Sequence, residues 1–203
     1  MKRSRLISIA VALLLPLAAI ADSYTSLWKQ YDVAVRKDHP QTVLRLLSQI
    51  ADKAQRERAY GQLLKAQVKS ADYQCELSAD SLQPVVERMK LMEQQAVNSG
   101  DNVLAAIYQS VLGSVYTNNS FALDDAKATG KQYFKKSMSH PDALAKAYAT
   151  GYEPFVVDGV DSKYYYDDML HIIAMRAKDY RTMHDYYASH GKREGACYLA
   201  TKR

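Results

Sequence analysis

The sequence predicts an all-α protein in which antiparallel helical hairpins stack as a tetratricopeptide-like, right-handed solenoid. Apolar residues recur at intervals of three and four along most of the chain, which is the spacing of one helix face. Prolines and glycines separate these stretches, as they do at the ends of helices. No stretch shows the sustained alternation of apolar and polar residues that is typical of a half-buried strand.

The first 21 residues have the three parts of a cleavable export signal. Three basic residues open it, residues 6–20 are predominantly apolar, and Ala19-Ile20-Ala21 fits the small-residue pattern of a cleavage site. The apolar run is shorter than the roughly 20 residues that a membrane span needs. We therefore expect a chain that begins at Asp22 after cleavage, lies in the periplasm or outside the cell, and keeps no membrane span.

Removal of the signal changes the charge of the protein. The whole chain has 27 Lys and Arg against 22 Asp and Glu, a net charge of +5, and three of the basic residues lie in the signal. The exported part therefore carries about +2, without the basic stripe that neutralises several phosphates in nucleic-acid binding. The composition excludes nucleic acid as the expected partner.

Five apolar stripes mark helices that start near residues 23, 40, 57, 79 and 101. The connections are short, and short links between helices indicate antiparallel hairpins. His39-Pro40 ends one helix and begins the next, because proline suits the first helical turn. Gly100 can adopt the left-handed conformation that ends a helix, and Asp101 can cap the next helix. We expect residues 22–203 to form a single helical domain.

The predicted hairpins suggest a repeat. The step from the first hairpin to the second is about 34 residues, a period typical of tetratricopeptide repeats. The segment Leu112-Gly113-x-x-Tyr116 fits part of that consensus. Its glycine would let a partner helix approach closely, and its tyrosine would fill the groove beside it. An irregular helical solenoid without true repeats is the alternative.

The second half of the chain contains two polar breaks, near residues 118–130 and 151–162, which we predict to be loops. His140-Pro141 again precedes a short helical stretch, at residues 143–148. Apolar stripes between Met169 and Leu199 then predict a third helical block.

The sequence contains no nucleophile elbow, zinc-protease, P-loop or dinucleotide-binding motif, so we expect a non-catalytic protein without cofactor or metal. An envelope hydrolase is the weaker alternative. It would use Asp167 and His171, which are four residues apart and could share a helix face, together with His184. Cys75 and Cys197 either form a disulfide in an oxidising compartment or are two separate buried side chains.

Tyrosine is abundant, with 16 residues against three phenylalanines. The residues are concentrated in Tyr164-Tyr165-Tyr166 and Tyr186-Tyr187. A consecutive triplet on a helix cannot point in one direction, so at least one ring should reach the surface. Exposed tyrosines favour binding, and we predict these five as binding residues. The alternative is that the rings pack between helices and leave their hydroxyls in water.

Several short motifs occur in an order that is more specific than any one of them. They are Ser26-Leu27-Trp28-Lys29-Gln30, Tyr60-Gly61-Gln62-Leu63-Leu64-Lys65-Ala66, Leu112-Gly113-Ser114-Val115-Tyr116, Asp167-Asp168-Met169-Leu170, and Tyr186-Tyr187 followed by Gly191, Arg193 and Ala196. Together they resemble the helical N-terminal region of large secreted bacterial alpha-2-macroglobulin-like proteins, and the resemblance spans most of the exported chain.

The resemblance implies protease trapping or cell-envelope defence, and an array of β-sandwich domains after the helical region. It also implies a Cys-x-Glu-Gln thioester, which this sequence does not have at Cys75 or Cys197. We therefore expect a non-catalytic interaction or scaffold module, either the N-terminal segment or a truncated relative of such a protein. Its partner would be a protein, a peptide, or further domains of a longer parent. The alternative is a self-contained helical-repeat protein that binds a peptide or glycan through its tyrosines.

Overall fold

A computed structural model describes residues 24–157 and 159–201, so the predicted export signal lies outside the described residues. The described residues form α-helices and short 3-10 turns and include no strand, which confirms the all-α prediction. The helices are α1 (24–36), α2 (Pro40–Glu57), α3 (Tyr60–Leu77), α4 (Leu82–Asn98), α5 (Asn102–Asn118), α6 (Ala126–Ser137), α7 (Pro141–Lys146), α8 (Met169–Ala177), α9 (Tyr180–Ser189) and α10 (Arg193–Ala200).

The ends of the first five helices follow the local signals in the sequence. Pro40 occupies the first turn of α2, where its missing N–H group is not needed. Gly100 adopts a positive φ of 73° between α4 and α5. The carboxylate of Asp101 then accepts a hydrogen bond from the Leu104 N–H at 2.9 Å, which caps α5.

The chain divides into two compact units, the first ending at Tyr73 and the second beginning at Gln74. The sequence predicts a single domain over residues 22–203. In the first unit the buried face of α2 forms the core, with Val43, Leu46, Leu47 and Ile50 almost fully buried. Residues of α1 and α3 pack against this face, and their burial supplies the main stabilisation of the unit.

The second unit is built around α5, which is buried along most of its length. Its closest neighbour is α6, because glycines in both helices allow a close crossing. A Cβ atom built on Gly113 would lie 2.8 Å from Cδ1 of Phe134, and one on Gly130 would lie 3.0 Å from the Gly113 carbonyl oxygen. Tyr116 stacks on Tyr133 beside the crossing, at 5.7 Å between ring centroids. Gly113 and Tyr116 thus have the packing roles that their motif predicts.

The polar break at 118–130 is shorter than predicted, because α6 begins at Ala126. Gly130 lies inside this helix, where its missing side chain permits the contact with α5. The lysines of α6 and this glycine obscure its apolar periodicity in the sequence. The helix is stabilised mainly by its packing against α5. The break at 151–162 agrees better with the structure, which has only 3-10 turns, at Ala149–Tyr152 and Ser162–Tyr165, between α7 and α8.

The spacing of the helices is longer than a strict 34-residue repeat. α3 begins 36 residues after the first described residue of α1, while α4 begins 42 residues after α2 and α5 begins 42 residues after α3. The tetratricopeptide-like, right-handed solenoid therefore stays a prediction.

Replacement of the crossing glycines tests the packing of α5 on α6. We expect Gly113→Ala and Gly130→Ala each to lower the free energy of unfolding by about 1–3 kcal/mol, because each added methyl group overlaps a neighbour. Gly130→Ala should cost more, since its Cβ meets backbone as well as a side chain. The control is Gly151→Ala, whose Cβ would meet nothing within 4 Å. Urea denaturation measures the free energy of unfolding of all three variants. If Gly113→Ala and Gly130→Ala are as stable as Gly151→Ala, this packing is contradicted.

Candidate functional site

Tyr164 and Tyr165 end a 3-10 turn before α8 and Tyr166 follows that turn, where the sequence suggested a helix. Tyr165 is buried, and its ring stacks on His171 and on Tyr187. Tyr164 is half-buried and stacks on Tyr198, with 4.6 Å between ring centroids. Tyr166 has a positive φ of 62°, and its half-buried ring meets the Tyr187 ring edge-on. The triplet thus packs largely inward.

The other predicted pair, Tyr186-Tyr187, is divided between the surface and the interior. Tyr186 is half-buried, stacks on His190, and donates a hydrogen bond to Asp142 at 3.1 Å. Tyr187 is buried at the centre of the aromatic cluster. Tyr165 and Tyr187 are therefore packing residues, and only the half-buried rings could contribute to the binding surface that we predicted.

Asp168 is the polar centre of this cluster and is only 2% exposed. Its Oδ1 atom accepts a hydrogen bond from the His171 backbone N–H at 3.0 Å, so Asp168 caps α8. The Tyr187 hydroxyl donates to the same carboxylate at 2.9 Å, and Lys192 Nζ lies 3.0 Å from Oδ2. Three hydrogen-bond donors, on α8, on α9 and just before α10, thus compensate the cost of burying this carboxylate.

Lys192 also connects α9 and α10 to the aromatic rings. Its ammonium group lies 4.6 Å from the centre of the Tyr166 ring and 5.2 Å from that of Tyr187. Gly195 allows α10 to approach, because a Cβ atom there would lie 3.0 Å from the Tyr187 ring and 3.1 Å from the Tyr164 carbonyl oxygen. The cluster therefore holds the last two helices against the turn before α8.

His171 stands between a serine and a carboxylate. Its Nε2 atom is 3.3 Å from Ser162 Oγ, and its Nδ1 atom is 3.5 Å from Asp168 Oδ1. This is the order of nucleophile, base and orienting carboxylate in acyl transfer. Ser162, however, is buried and accepts a hydrogen bond from the Gly159 N–H at 2.9 Å. Ser162 lines neither the cleft between α5 and α8 nor the cleft between α1 and α2.

The hydrolase alternative relied on different residues, and the structure does not bring them together. Asp167 lies before α8 with a positive φ of 50°, so it does not share a helix face with His171. The carboxylate beside His171 belongs to Asp168, and His184 pairs instead with Asp185 at 3.0 Å. In the described ranges, no group of three or more His, Cys, Asp and Glu residues is arranged to hold a metal ion.

The two cysteines do not form the disulfide that we considered. Cys75 is half-buried on α3, and Cys197 is exposed on α10. The packed face of α10 is formed by Gly195, Ala196 and Leu199, so Cys197 points to solvent. Both sulfurs are thiols in the structure.

A cleft of about 240 Å³ lies between α5, α8 and residues 155–157, and sequence reasoning missed it. α5 contributes Ile107, Ser110 and Val111, which share one face of that helix. α8 contributes a stripe from Met169 to Arg176 with the same spacing. Only Ser110 and Arg176 are polar among the side chains that line the cleft. The cleft can therefore hold an apolar group with one polar end.

A second cleft, of about 370 Å³, lies in the first unit between α1 and α2. Its polar lining includes Lys29, Lys37 and Arg45, which are all exposed. Among the described residues, no hydrogen bond or ion pair holds any of these three cations, whereas Arg176, which is also exposed, is held by its hydrogen bond to Ser114. The cleft beside α8 is therefore the stronger candidate, because it includes a buried polar side chain.

Comparison with family models, with curated proteins and with solved structures found no match for this chain. None of the helices in residues 24–157 and 159–201 is long and apolar enough to cross a membrane.

Substitution of Asp168 tests the polar centre. We expect Asp168→Asn to lower the free energy of unfolding by about 2–4 kcal/mol, because it leaves Lys192 without a carboxylate while an acceptor for the helix cap remains. Asp168→Ala should cost about 1 kcal/mol more, because the cap is lost too. Asp185→Asn is the control, since that carboxylate is exposed. Chemical denaturation measures the free energy of unfolding of all three variants. If Asp168→Asn lowers it by less than about 1 kcal/mol, Asp168 is not the polar centre of this cluster.

The stability of the protein should fall at alkaline pH because of Tyr187. Burial, and then the charge and hydrogen bond of Asp168, raise the pKa of Tyr187 far above its ordinary value of 10.0. The folded protein keeps this proton when the unfolded chain loses it. The stabilisation is thus fully present below pH 10 and decreases above it.

Thermal unfolding of Tyr187→Phe from about pH 9 to about pH 11 checks this expectation. The variant loses a hydrogen bond and is less stable at neutral pH, but its further loss at alkaline pH should be smaller by about 1 kcal/mol. Tyr148→Phe removes an exposed tyrosine, so its melting temperature should depend on pH in the same way as that of the original protein. Parallel pH profiles for all three proteins would disprove the role of Tyr187.

Proposed function

We propose that this chain is an exported, non-catalytic interaction module that binds a peptide segment of a protein partner. The cleft between α5 and α8 carries the proposal. It combines apolar walls with two polar groups, which is the composition of a site that anchors one apolar side chain and orients it. The order of the short motifs favours the helical N-terminal segment or a truncated relative of an alpha-2-macroglobulin-like protein, and the missing thioester motif favours a part that does not trap a protease covalently. Further domains of a longer parent would then also be partners.

The surface beside the cleft supports a protein partner. Val157 lines the cleft and is 76% exposed, and Val160 in the same segment is 94% exposed. Large apolar side chains in water favour association, because each square ångström that a partner covers contributes about 25 cal/mol. A peptide in the cleft could cover this segment as well.

The tyrosine-rich face is a weaker candidate for binding a peptide or glycan. Its two central rings, Tyr165 and Tyr187, are buried, and the hydroxyl of Tyr187 is used by Asp168. The remaining rings are half-buried: Tyr164 and Tyr186 stack on neighbours, and Tyr166 meets Tyr187 edge-on. These contacts account for the tyrosines as packing residues of the last three helices.

Selection of peptides from a random displayed library on the purified chain tests the function. We expect selected peptides to share one aliphatic anchor and to bind with micromolar dissociation constants, which is about −8 kcal/mol. Val157→Asp should weaken their binding at least tenfold, because it places a charge at the apolar lip of the cleft.

Val35→Asp is the matched control, since Val35 is an exposed valine of α1 in the first unit and should not affect binding. Failure to select any peptide, or equal weakening by both substitutions, would count against a peptide-binding function of this cleft.

A further inference from the structure

Ser110 differs from the other hydroxyl residues of α5. Ser114 and Thr117 donate hydrogen bonds to the carbonyl oxygens four residues earlier, at 3.1 and 2.7 Å. Ser110 Oγ is buried in a residue only 2% exposed, and it has no hydrogen-bond partner among the described residues. A buried unpaired hydroxyl is destabilising and rare. Because Ser110 lines the cleft, a ligand in the cleft could supply the missing partner.

Arg176 brings a positive charge to the same part of the cleft. Its Nε atom donates a hydrogen bond to Ser114 Oγ at 2.9 Å, which fixes the guanidinium group of α8 against α5. Ser110 and Ser114 are one helical turn apart, about 6 Å. The guanidinium group and the Ser110 hydroxyl therefore flank one end of the cleft. No acidic residue lines the cleft in the described part of the chain.

The remaining walls are apolar and enclose a small space. Ile107, Met169 and Ile173 are almost fully buried behind it. A volume of about 240 Å³ holds on the order of eight water-sized groups, which is close to one leucine residue with a terminal carboxylate.

We propose that the cleft binds the carboxyl-terminal residue of a peptide that ends in an aliphatic side chain. The terminal carboxylate accepts hydrogen bonds from the guanidinium group of Arg176 and from the Ser110 hydroxyl, while the side chain occupies the apolar part of the cleft. The preceding residues lie over Phe155 and Val157 at the open side. This inference rests on the proposed function and specifies which peptides the cleft accepts.

Fluorescence anisotropy with a labelled hexapeptide that ends in leucine tests the proposal on the purified chain. The free acid should bind at least tenfold more tightly than the same peptide with an amidated terminus. Arg176→Gln should remove this difference, because glutamine cannot supply the charge. Ser110→Ala should weaken binding of the free acid several-fold while its melting temperature stays equal or rises, because the unpaired hydroxyl is gone.

Two further variants separate binding from folding. Ser48→Ala, at an exposed serine of α2, controls for the helix propensity of alanine and should leave both affinity and specificity unchanged. Ser110→Leu should fill the cleft and abolish peptide binding in a chain that retains its helical circular dichroism. Retained binding by the folded Ser110→Leu variant would place the peptide elsewhere and overturn the proposal.

The other outcomes are also decisive. Equal affinity for the acid and the amide, or an acid preference that survives Arg176→Gln, would overturn recognition of the carboxylate. Hexanoate that competes as strongly as the peptide would show a site for free aliphatic carboxylates and overturn the peptide assignment. If library-selected peptides bind but carboxyl-terminal peptides do not, this inference fails and the proposed function stands. If neither class binds, both fail.

Discussion

The C-terminal helices depend on one buried charge, the carboxylate of Asp168. A single carboxylate there accepts from the first turn of α8, from the Tyr187 hydroxyl on α9, and from Lys192 before α10. Each of the three helices is short, and isolated helices of this length are marginal in water. Their stability therefore comes from tertiary contacts, and the hydrogen bonds to Asp168 connect all three helices directly.

The cleft is a consequence of that arrangement. α8 forms one of its walls and carries Arg176 at its last turn, so the residue that caps α8 also determines where the guanidinium group lies. The opposite wall is α5, which the close crossing with α6 at Gly113 and Gly130 holds in place. Among the described residues, the Ser110 hydroxyl on α5 has no hydrogen-bond partner, although both helices that line the cleft are well packed. Stability and binding thus favour different residues at position 110, since an apolar residue would pack better and a hydroxyl can recognise a ligand.

The sequence predicts the all-α class and the starts of the first five helices to within a few residues, because proline, glycine and capping residues mark their ends locally. It missed α6, whose lysines and Gly130 hide the apolar pattern and whose stability depends on α5. It paired His171 with Asp167, although the cap of α8 places Asp168 beside His171.

The cleft was not predictable, since Ser110 and Arg176 are brought together by packing and not by spacing. The burial of Tyr165 and Tyr187 was not predictable for the same reason, since it depends on contacts between residues that are distant in the sequence.

Hydrogen–deuterium exchange of α8 in the original protein and in Asp168→Ala tests this account most directly. We expect slow exchange across Met169–Ala177 in the original protein. In the variant, measured where the chain is still folded, α8 to α10 should exchange faster while α4 and α5 keep most of their protection. If protection of α8 is unchanged by the substitution, or decreases equally in every helix of the second unit, Asp168 does not organise the last three helices.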